Sequence, residues 1–273
     1  MNIPESVHRM LLGQLGWSED EYEDGVRPEK ADIDLDEENA ILSDPEGFKV
    51  IWIRKDKYPT KQHENTFGRV CSNFYQTMNK AQKNFRVTKV GVIVNSKLKA
   101  NFDKKRQDLV MKGKDPNEAW GFHGTSEDAI AKIAQTGFLH PDKIAKINAA
   151  AAAATSAADK KTKGKKKKGV QKPVIPVLDD GYFGAGIYFS CYSDYAMWYS
   201  EEKDSEQILV AKLLQGETYK CQKRMDGSKC MKGFDSHFSP KGNEIIMFDP
   251  DACLPRYIIA YESQDEEERE QES

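Results

Sequence analysis

The last third of the chain holds three β-type runs with no helical pattern between them, and this limits the fold more than any other feature. Gln207-Ile-Leu-Val-Ala-Lys-Leu-Leu214 is almost continuously apolar, Asn243-Glu-Ile-Ile-Met-Phe248 is a second run, and Arg256-Tyr-Ile-Ile-Ala-Tyr261 is a third. Parallel neighbours need a long crossover, usually a helix. Here the connection over 216–239 reads as an irregular loop, and Pro250 closes the second run. Antiparallel pairing is therefore expected, and with it an α+β domain rather than a doubly wound sheet.

Upstream, strands and helices interleave. Val50-Ile51-Trp52-Ile53 is β-branched and aromatic, hence a strand. Val70, Phe74 and Met78 recur at helical spacing, so that helix has one apolar face, read as core. Val87 to Val94 is another strand. Asn95-Ser96 offers an N-cap to a helix that turns Leu98, Phe102, Leu109 and Val110 inward. After the turn Asp115-Pro116-Asn117, the strand-like Ala119-Trp120-Gly121-Phe122 ends in His123-Gly124-Thr125. Ser126 caps a helix from Glu127 to Thr136, with Ala129, Ile130 and Ile133 buried and Gly137 as its stop. Tyr192 to Glu201 is an aromatic helix.

Three segments depart from this globular pattern. Residues 1–46 open on an amphipathic piece (Val7, Met10, Leu11, Leu12, Leu15) and turn acidic from Glu19 to Glu38, which reads as a short helix plus a mobile, solvated arm. Residues 143–172 are alanine-rich, then lysine- and glycine-rich, and read as a mobile insertion within the domain at 47–262. Residues 263–273 form an acidic tail. Because charge is so segregated, the net charge of -3 says little about partners. The Lys160–Lys172 run is the candidate contact for nucleic acid, beside the plainer reading of a solvated charge run. The five cysteines (Cys71, Cys191, Cys221, Cys230, Cys253) are scattered, which fits reduced intracellular thiols better than a disulfide framework. No apolar run approaches the roughly 18–20 residues of a membrane span, and no signal-peptide segment is evident. A nuclear or cytoplasmic protein without a membrane partner is expected.

Between Gly181 and Gly186 three glycines stand in six residues, directly before Ile187-Tyr188-Phe189. Glycine lets the backbone turn sharply and another group approach closely, so a Gly/aromatic loop feeds a short buried strand. That suits a flat polar ring stacking on Tyr188, although a Gly-rich hairpin explains the stretch equally well. The spacing is not G-x-G-x-x-G and follows no clear strand, which argues against a dinucleotide-binding βαβ unit. Two further polar residues stand at strand edges. His123 precedes Gly124, and Glu244 enters the apolar run Ile245–Phe248, where burial of a carboxylate is costly unless it is used or paired. Taken singly, a structural histidine and a solvent-facing glutamate are the plainer readings.

Taken together, these blocks resemble a known family. Phe122-His123-Gly124-Thr125, Gly181 to Phe189, and Asn243-Glu244 followed by Leu254-Pro255-Arg256-Tyr257-Ile258-Ile259 look like the poly(ADP-ribose) polymerase catalytic domain, a His-Tyr-Glu class ADP-ribosyltransferase. The resemblance implies an ADP-ribosyltransferase-like α+β fold of mainly antiparallel sheets with flanking helices. It implies NAD+ as the substrate, no metal, and transfer of ADP-ribose to a protein acceptor, the protein itself included, or to nucleic acid, with release of nicotinamide. It also implies a catalytic triad of His123, Tyr188 and Glu244. Gly124 then grips the nicotinamide carboxamide through its backbone, Thr125 contacts the adenosine ribose, His123 bonds a ribose hydroxyl, and Tyr188 stacks on nicotinamide. Glu244 accepts the 2′-OH of the nicotinamide ribose; in the family this glutamate is necessary for chain extension but not sufficient. The family usually places a carboxamide-binding serine about eight residues past the tyrosine, and Ser193 or Tyr195 is the candidate here. Tyr195, Trp198 or Tyr199 supplies a further stacking ring. The 143–172 insertion falls in the family's donor loop, and Gly216–Lys241 corresponds to its acceptor loop. A catalytically inactive module that binds NAD+ or ADP-ribose is the alternative.

Two other chemistries fit less well. A zinc site of Cys221, Cys230, His237 and Cys253 would need the usual two- to four-residue ligand pair, which this spacing lacks. A serine hydrolase would need a G-x-S-x-G elbow, which is absent from the sequence.

Overall fold

The computed structural model describes residues 35–55, 57–78, 85–150 and 181–264. The amphipathic piece from Val7 to Leu15, the Lys160–Lys172 run and the acidic tail beyond residue 264 lie outside the described residues. Nine strands in chain order, β1 (Phe48–Arg54), β2 (Phe85–Asn95), β3 (Glu118–Gly124), β4 (Ile187–Ser190), β5 (Gln207–Leu214), β6 (Thr218–Lys220), β7 (Ser236–Phe238), β8 (Glu244–Met247) and β9 (Cys253–Ser263), form a sheet. Its order is β1-β2-β9-β5-β3-β4-β8-β7-β6. Among the described residues every neighbouring pair is antiparallel except β6–β7. The antiparallel α+β expectation holds.

The helices are α1 (Leu35–Leu42), α2 (Lys61–Gln76), α3 (Ser96–Met111), α4 (Glu127–Thr136), α5 over residues 141–150, and α6 (Ser193–Glu201). They cover both faces of the sheet. On one face Leu209, Ala211 and Leu213 of β5 pack with Phe102 and Leu109 of α3 and Ile130 and Ala134 of α4. On the other, Ile208 and Val210 pack with Phe67, Val70 and Phe74 of α2 and Ala196 and Met197 of α6. This double covering is why β5 reads as a continuous apolar run instead of an alternating one.

The expected caps form. Asn95 Oδ1 accepts the Leu98 amide, and its Nδ2 donates to the carbonyls of Ala134 and Gln135, tying the start of α3 to the end of α4. Ser126 Oγ accepts the Ala129 amide, and Gly137 ends α4 at φ 80°.

The structure differs from the sequence expectation in several places. Val110 is 53% exposed rather than inward, because α3 is anchored by Phe102 and Leu109 and the stripe ends there. The 216–239 connection is not wholly irregular: β6 and β7 pair in parallel, Thr218 with Ser236 through Lys220 with Phe238. The acidic stretch read as a solvated arm contributes α1, whose Glu38 is buried in an ion pair with Arg256 Nη2 at 2.5 Å. Arg256 Nη1 also donates to the Ile93 carbonyl, so one guanidinium clamps α1, β2 and β9 together.

Candidate active site

Sheet register brings the candidate residues together. β3 abuts β4 with Phe122 opposite Ser190, and β4 abuts β8 with Ser190 opposite Glu244 and Tyr188 opposite Ile246. Side chains alternate along a strand, so Tyr188, Ser190 and Glu244 share the face covered by α6. Tyr188 and Glu244 are diagonal cross-strand neighbours, whose Cα atoms such a register puts about 7–8 Å apart. His123, one residue past Phe122, reaches the carbonyl of Tyr188 with Nδ1 at 2.9 Å.

That contact fixes the chemistry of the imidazole. A carbonyl only accepts, so Nδ1 carries the proton and Nε2 is left as an acceptor. Phe138 and Phe189 flank the ring at 5.4 and 5.7 Å. Burial pushes the His123 pKa down, opposed by the hydrogen bond to Tyr188, so the neutral form dominates at pH 7. Lowered in the folded state, the group binds a proton in the unfolded chain first. Stability from this residue is complete above the ordinary histidine value of about 6.5 and falls as the pH drops below it. We expect the denaturation midpoint of the wild type to fall between pH 7 and 5, and His123→Gln to flatten that slope.

Tyr188 is held at its hydroxyl. Oη accepts the Phe183 amide at 2.8 Å and donates to the Gly184 carbonyl at 3.0 Å. Gly184 sits at φ 121°, a conformation that side chains avoid, with Phe248 in the space a Cβ would take. The Gly-rich stretch is thus a bent cradle for the tyrosine tip.

Glu244 opens β8, and Ser239 fastens its backbone: Ser239 Oγ accepts the Glu244 amide at 3.0 Å, and the Ser239 amide donates to the Glu244 carbonyl at 2.9 Å. Ser239 belongs to none of the motifs that mark the site in the sequence. Its signal is a serine opening the turn Ser239-Pro-Lys-Gly-Asn243, with Gly242 at φ 76°. The Glu244 carboxylate accepts from Tyr195 Oη at 3.3 Å, and Tyr195 lies 3.4 Å from the hydroxyl of Tyr199. Burial, the Tyr199 hydrogen bond and the Glu244 charge all push the Tyr195 pKa up, so it stays a neutral donor. Cys191 lies on the same ground, its thiol raised to about 11 by burial and by Glu244, which keeps it protonated.

The remaining candidates separate. Tyr199 borders Gly124, its Cβ 2.9 Å from where a Gly124 Cβ would stand. Thr125 is half-buried just beyond. Trp198 is 49% exposed and packs edge-on against Tyr199. Ser193 is fully buried with Oγ 2.6 Å from the Phe74 carbonyl; it fastens α6 to the end of α2 and offers no accessible hydroxyl. The residue eight positions past Tyr188 is Ala196, which has none either.

Gly124 matters to packing as such. A Cβ there would stand 1.8 Å from the carbonyl oxygen of Ala196, which is helix backbone and cannot rotate away. We expect Gly124→Ala to cost about 1–3 kcal/mol in urea unfolding, the range for overpacking, and to displace the helix bearing Tyr195 and Tyr199. Gly68→Ala, mid-helix with nothing within 4 Å of its Cβ, is the control and should stabilise by about 0.5–1 kcal/mol.

A neutral imidazole acceptor, a tethered aromatic ring and a carboxylate on adjoining central strands form a set able to orient a ribose and stabilise positive charge at its anomeric carbon. A family model of the poly(ADP-ribose) polymerase catalytic domain matches residues 64–242, about two thirds of the chain. The chain belongs to that family. Its α+β sheet is the ADP-ribosyltransferase fold, and NAD+ is the substrate that poly(ADP-ribose) polymerase domains use. The match takes in His123 and Tyr188 and stops two residues short of Glu244. No curated protein matches the chain. Among the described residues no helix is long and apolar enough to cross a membrane.

Proposed function

We propose that the protein is an NAD+-dependent ADP-ribosyltransferase that modifies a protein acceptor and releases nicotinamide, with His123, Tyr188 and Glu244 as its catalytic triad. The observation that carries this is the placing of Tyr188 and Glu244 as diagonal neighbours on one sheet face, beside an imidazole locked to the Tyr188 carbonyl. His123 Nε2 accepts a hydroxyl of the adenosine ribose, with Thr125 alongside. Tyr188 stacks on the nicotinamide ring, Tyr199 borders it across Gly124, and the Gly124 backbone meets the carboxamide. Glu244 accepts the 2′-OH of the nicotinamide ribose. Its charge stabilises the oxocarbenium-like state as the C1′–N bond breaks and the electron pair leaves with nicotinamide. The acceptor's nucleophile then bonds to C1′ and loses its proton to solvent.

One feature favours the alternative, an inactive module that binds NAD+ or ADP-ribose. Ala196 stands where the resemblance calls for a carboxamide-binding serine, and Ser193 is spent on Phe74. A single assay separates the two. The purified protein is incubated with NAD+ labelled in its adenylate, and both free nicotinamide and protein-bound label are followed. A discrete labelled band means single-unit transfer, and a high-molecular-weight smear means polymer. Nicotinamide without labelled protein means hydrolysis, with water as the acceptor. Neither product from a folded protein that still binds NAD+ would leave the binding module standing.

A further inference from the structure

His237, a zinc-ligand candidate by residue type alone, has a different place in the fold. It is the middle residue of β7, fully buried, with Tyr219 at 5.4 Å and Phe248 at 4.6 Å from its ring. An imidazole so enclosed must satisfy both nitrogens within the protein. Nε2 accepts the Met231 amide at 2.8 Å. The proton therefore sits on Nδ1, which donates to the Phe183 carbonyl at 2.7 Å. The other end of that residue, the Phe183 amide, donates to Tyr188 Oη, which in turn donates to Gly184. Three hydrogen bonds thus run in series from Met231 to the tip of Tyr188, and a fourth ties that tip to Gly184.

We infer that His237 is a positioning residue for Tyr188, acting through Phe183 and coupling the 216–242 loop to the orientation of the stacking ring. The inference rests on the reading of Tyr188 as the ring that receives nicotinamide. Three backbone hydrogen bonds already dock the two loops: Met225 to Tyr182, Gly227 to Gly181, and Ala185 to Ser228. Those fix the loops but not the Phe183 residue, whose carbonyl takes the histidine proton. Phenylalanine would fill the same buried space; only a side chain that accepts at one end and donates at the other completes the chain of bonds. Changes in the 216–242 loop at Met231 are therefore transmitted to the ring without any contact between that residue and the ligand.

The test uses His237→Phe, which keeps the aromatic packing, and His237→Asn, whose amide can replace Nδ1–H towards Phe183 while losing the Met231 acceptor. Each is made in the wild type and in Tyr188→Phe, which removes the hydroxyl that Phe183 holds. Nicotinamide and NAD+ binding are measured by titration calorimetry, and hydrogen exchange over 181–188 without ligand. Expected are about tenfold weaker nicotinamide binding for His237→Phe, the scale of a lost buried hydrogen bond, partial rescue in His237→Asn, and no further loss when His237→Phe is added to Tyr188→Phe. A purely structural histidine would lower stability additively and leave nicotinamide affinity unmoved; that result overturns the inference. Should the wild type bind neither ligand, the functional reading fails instead. Exchange then decides the coupling: faster exchange at Phe183 in His237→Phe upholds it, and unchanged exchange overturns it.

Discussion

Replacing Glu244 by glutamine lowers the rate of nicotinamide release by about 10²–10³-fold, the scale for removing one preorganised charge-stabilising group. NAD+ binding and thermal stability should change little. Glutamine keeps the length of the side chain and an oxygen for the Tyr195 hydroxyl, and the two bonds that fasten the residue to Ser239 are backbone bonds at Glu244. What glutamine lacks is the charge, which matters only when the ribose carbon becomes cationic. The substitution therefore belongs in kcat, not in KM. The decisive measurement is single-turnover nicotinamide release at saturating NAD+, beside a binding isotherm for each protein. A variant as fast as the wild type would remove Glu244 from the chemistry; one that fails to bind NAD+ would recast it as a binding residue.

Replacing Glu38 by alanine costs about 3–5 kcal/mol of folding free energy, because it takes a carboxylate away from the buried Arg256 guanidinium. Both side chains are below a tenth exposed, so water does not compensate for the lost carboxylate. The Ile93 carbonyl satisfies one guanidinium nitrogen but supplies no negative charge. Urea unfolding reads the effect directly. A double variant, Glu38→Leu with Arg256→Met, should recover most of the loss, since an apolar pair of similar volume avoids the desolvation of both ions. If the single variant unfolds like the wild type, α1 does not contribute to the stability of the domain. The same contact predicts that a chain begun at Gly47, where composition alone sets the domain edge, is markedly less stable than one that includes residue 35.

The two faces of the sheet explain why the pattern was legible at all. β5 is nearly all apolar and β9 nearly all buried because helices cover both sides of the sheet where they lie. The strand ends at His123, Tyr188 and Glu244 carry polar residues in otherwise apolar surroundings, and the register sets these three on adjoining strands. Of the two candidates for the carboxamide position, Ser193 and Tyr195, the fold occupies the first. Ser193 looked available from its place in the aromatic helix, but its hydroxyl is taken by Phe74, 119 residues earlier. Likewise His237, a metal-ligand candidate by residue type but not by spacing, has its two nitrogens on the Phe183 carbonyl and the Met231 amide.

The sequence by itself determined the strand and helix types, the caps at Asn95 and Ser126, the antiparallel α+β class and the order of the His, Tyr and Glu blocks. These follow from interactions within a few residues: side-chain period, N-cap chemistry, and glycine where φ is positive. Tertiary structure alone decided which hydroxyls remain accessible, that Glu38 meets Arg256 across 218 residues, that β6 and β7 pair in parallel, and that a histidine on β7 reaches the Tyr188 cradle. The physical reason is that hydrogen bonds and ion pairs act over about 3 Å irrespective of chain separation. Residues distant in sequence become partners only after the sheet has set the register that brings them there.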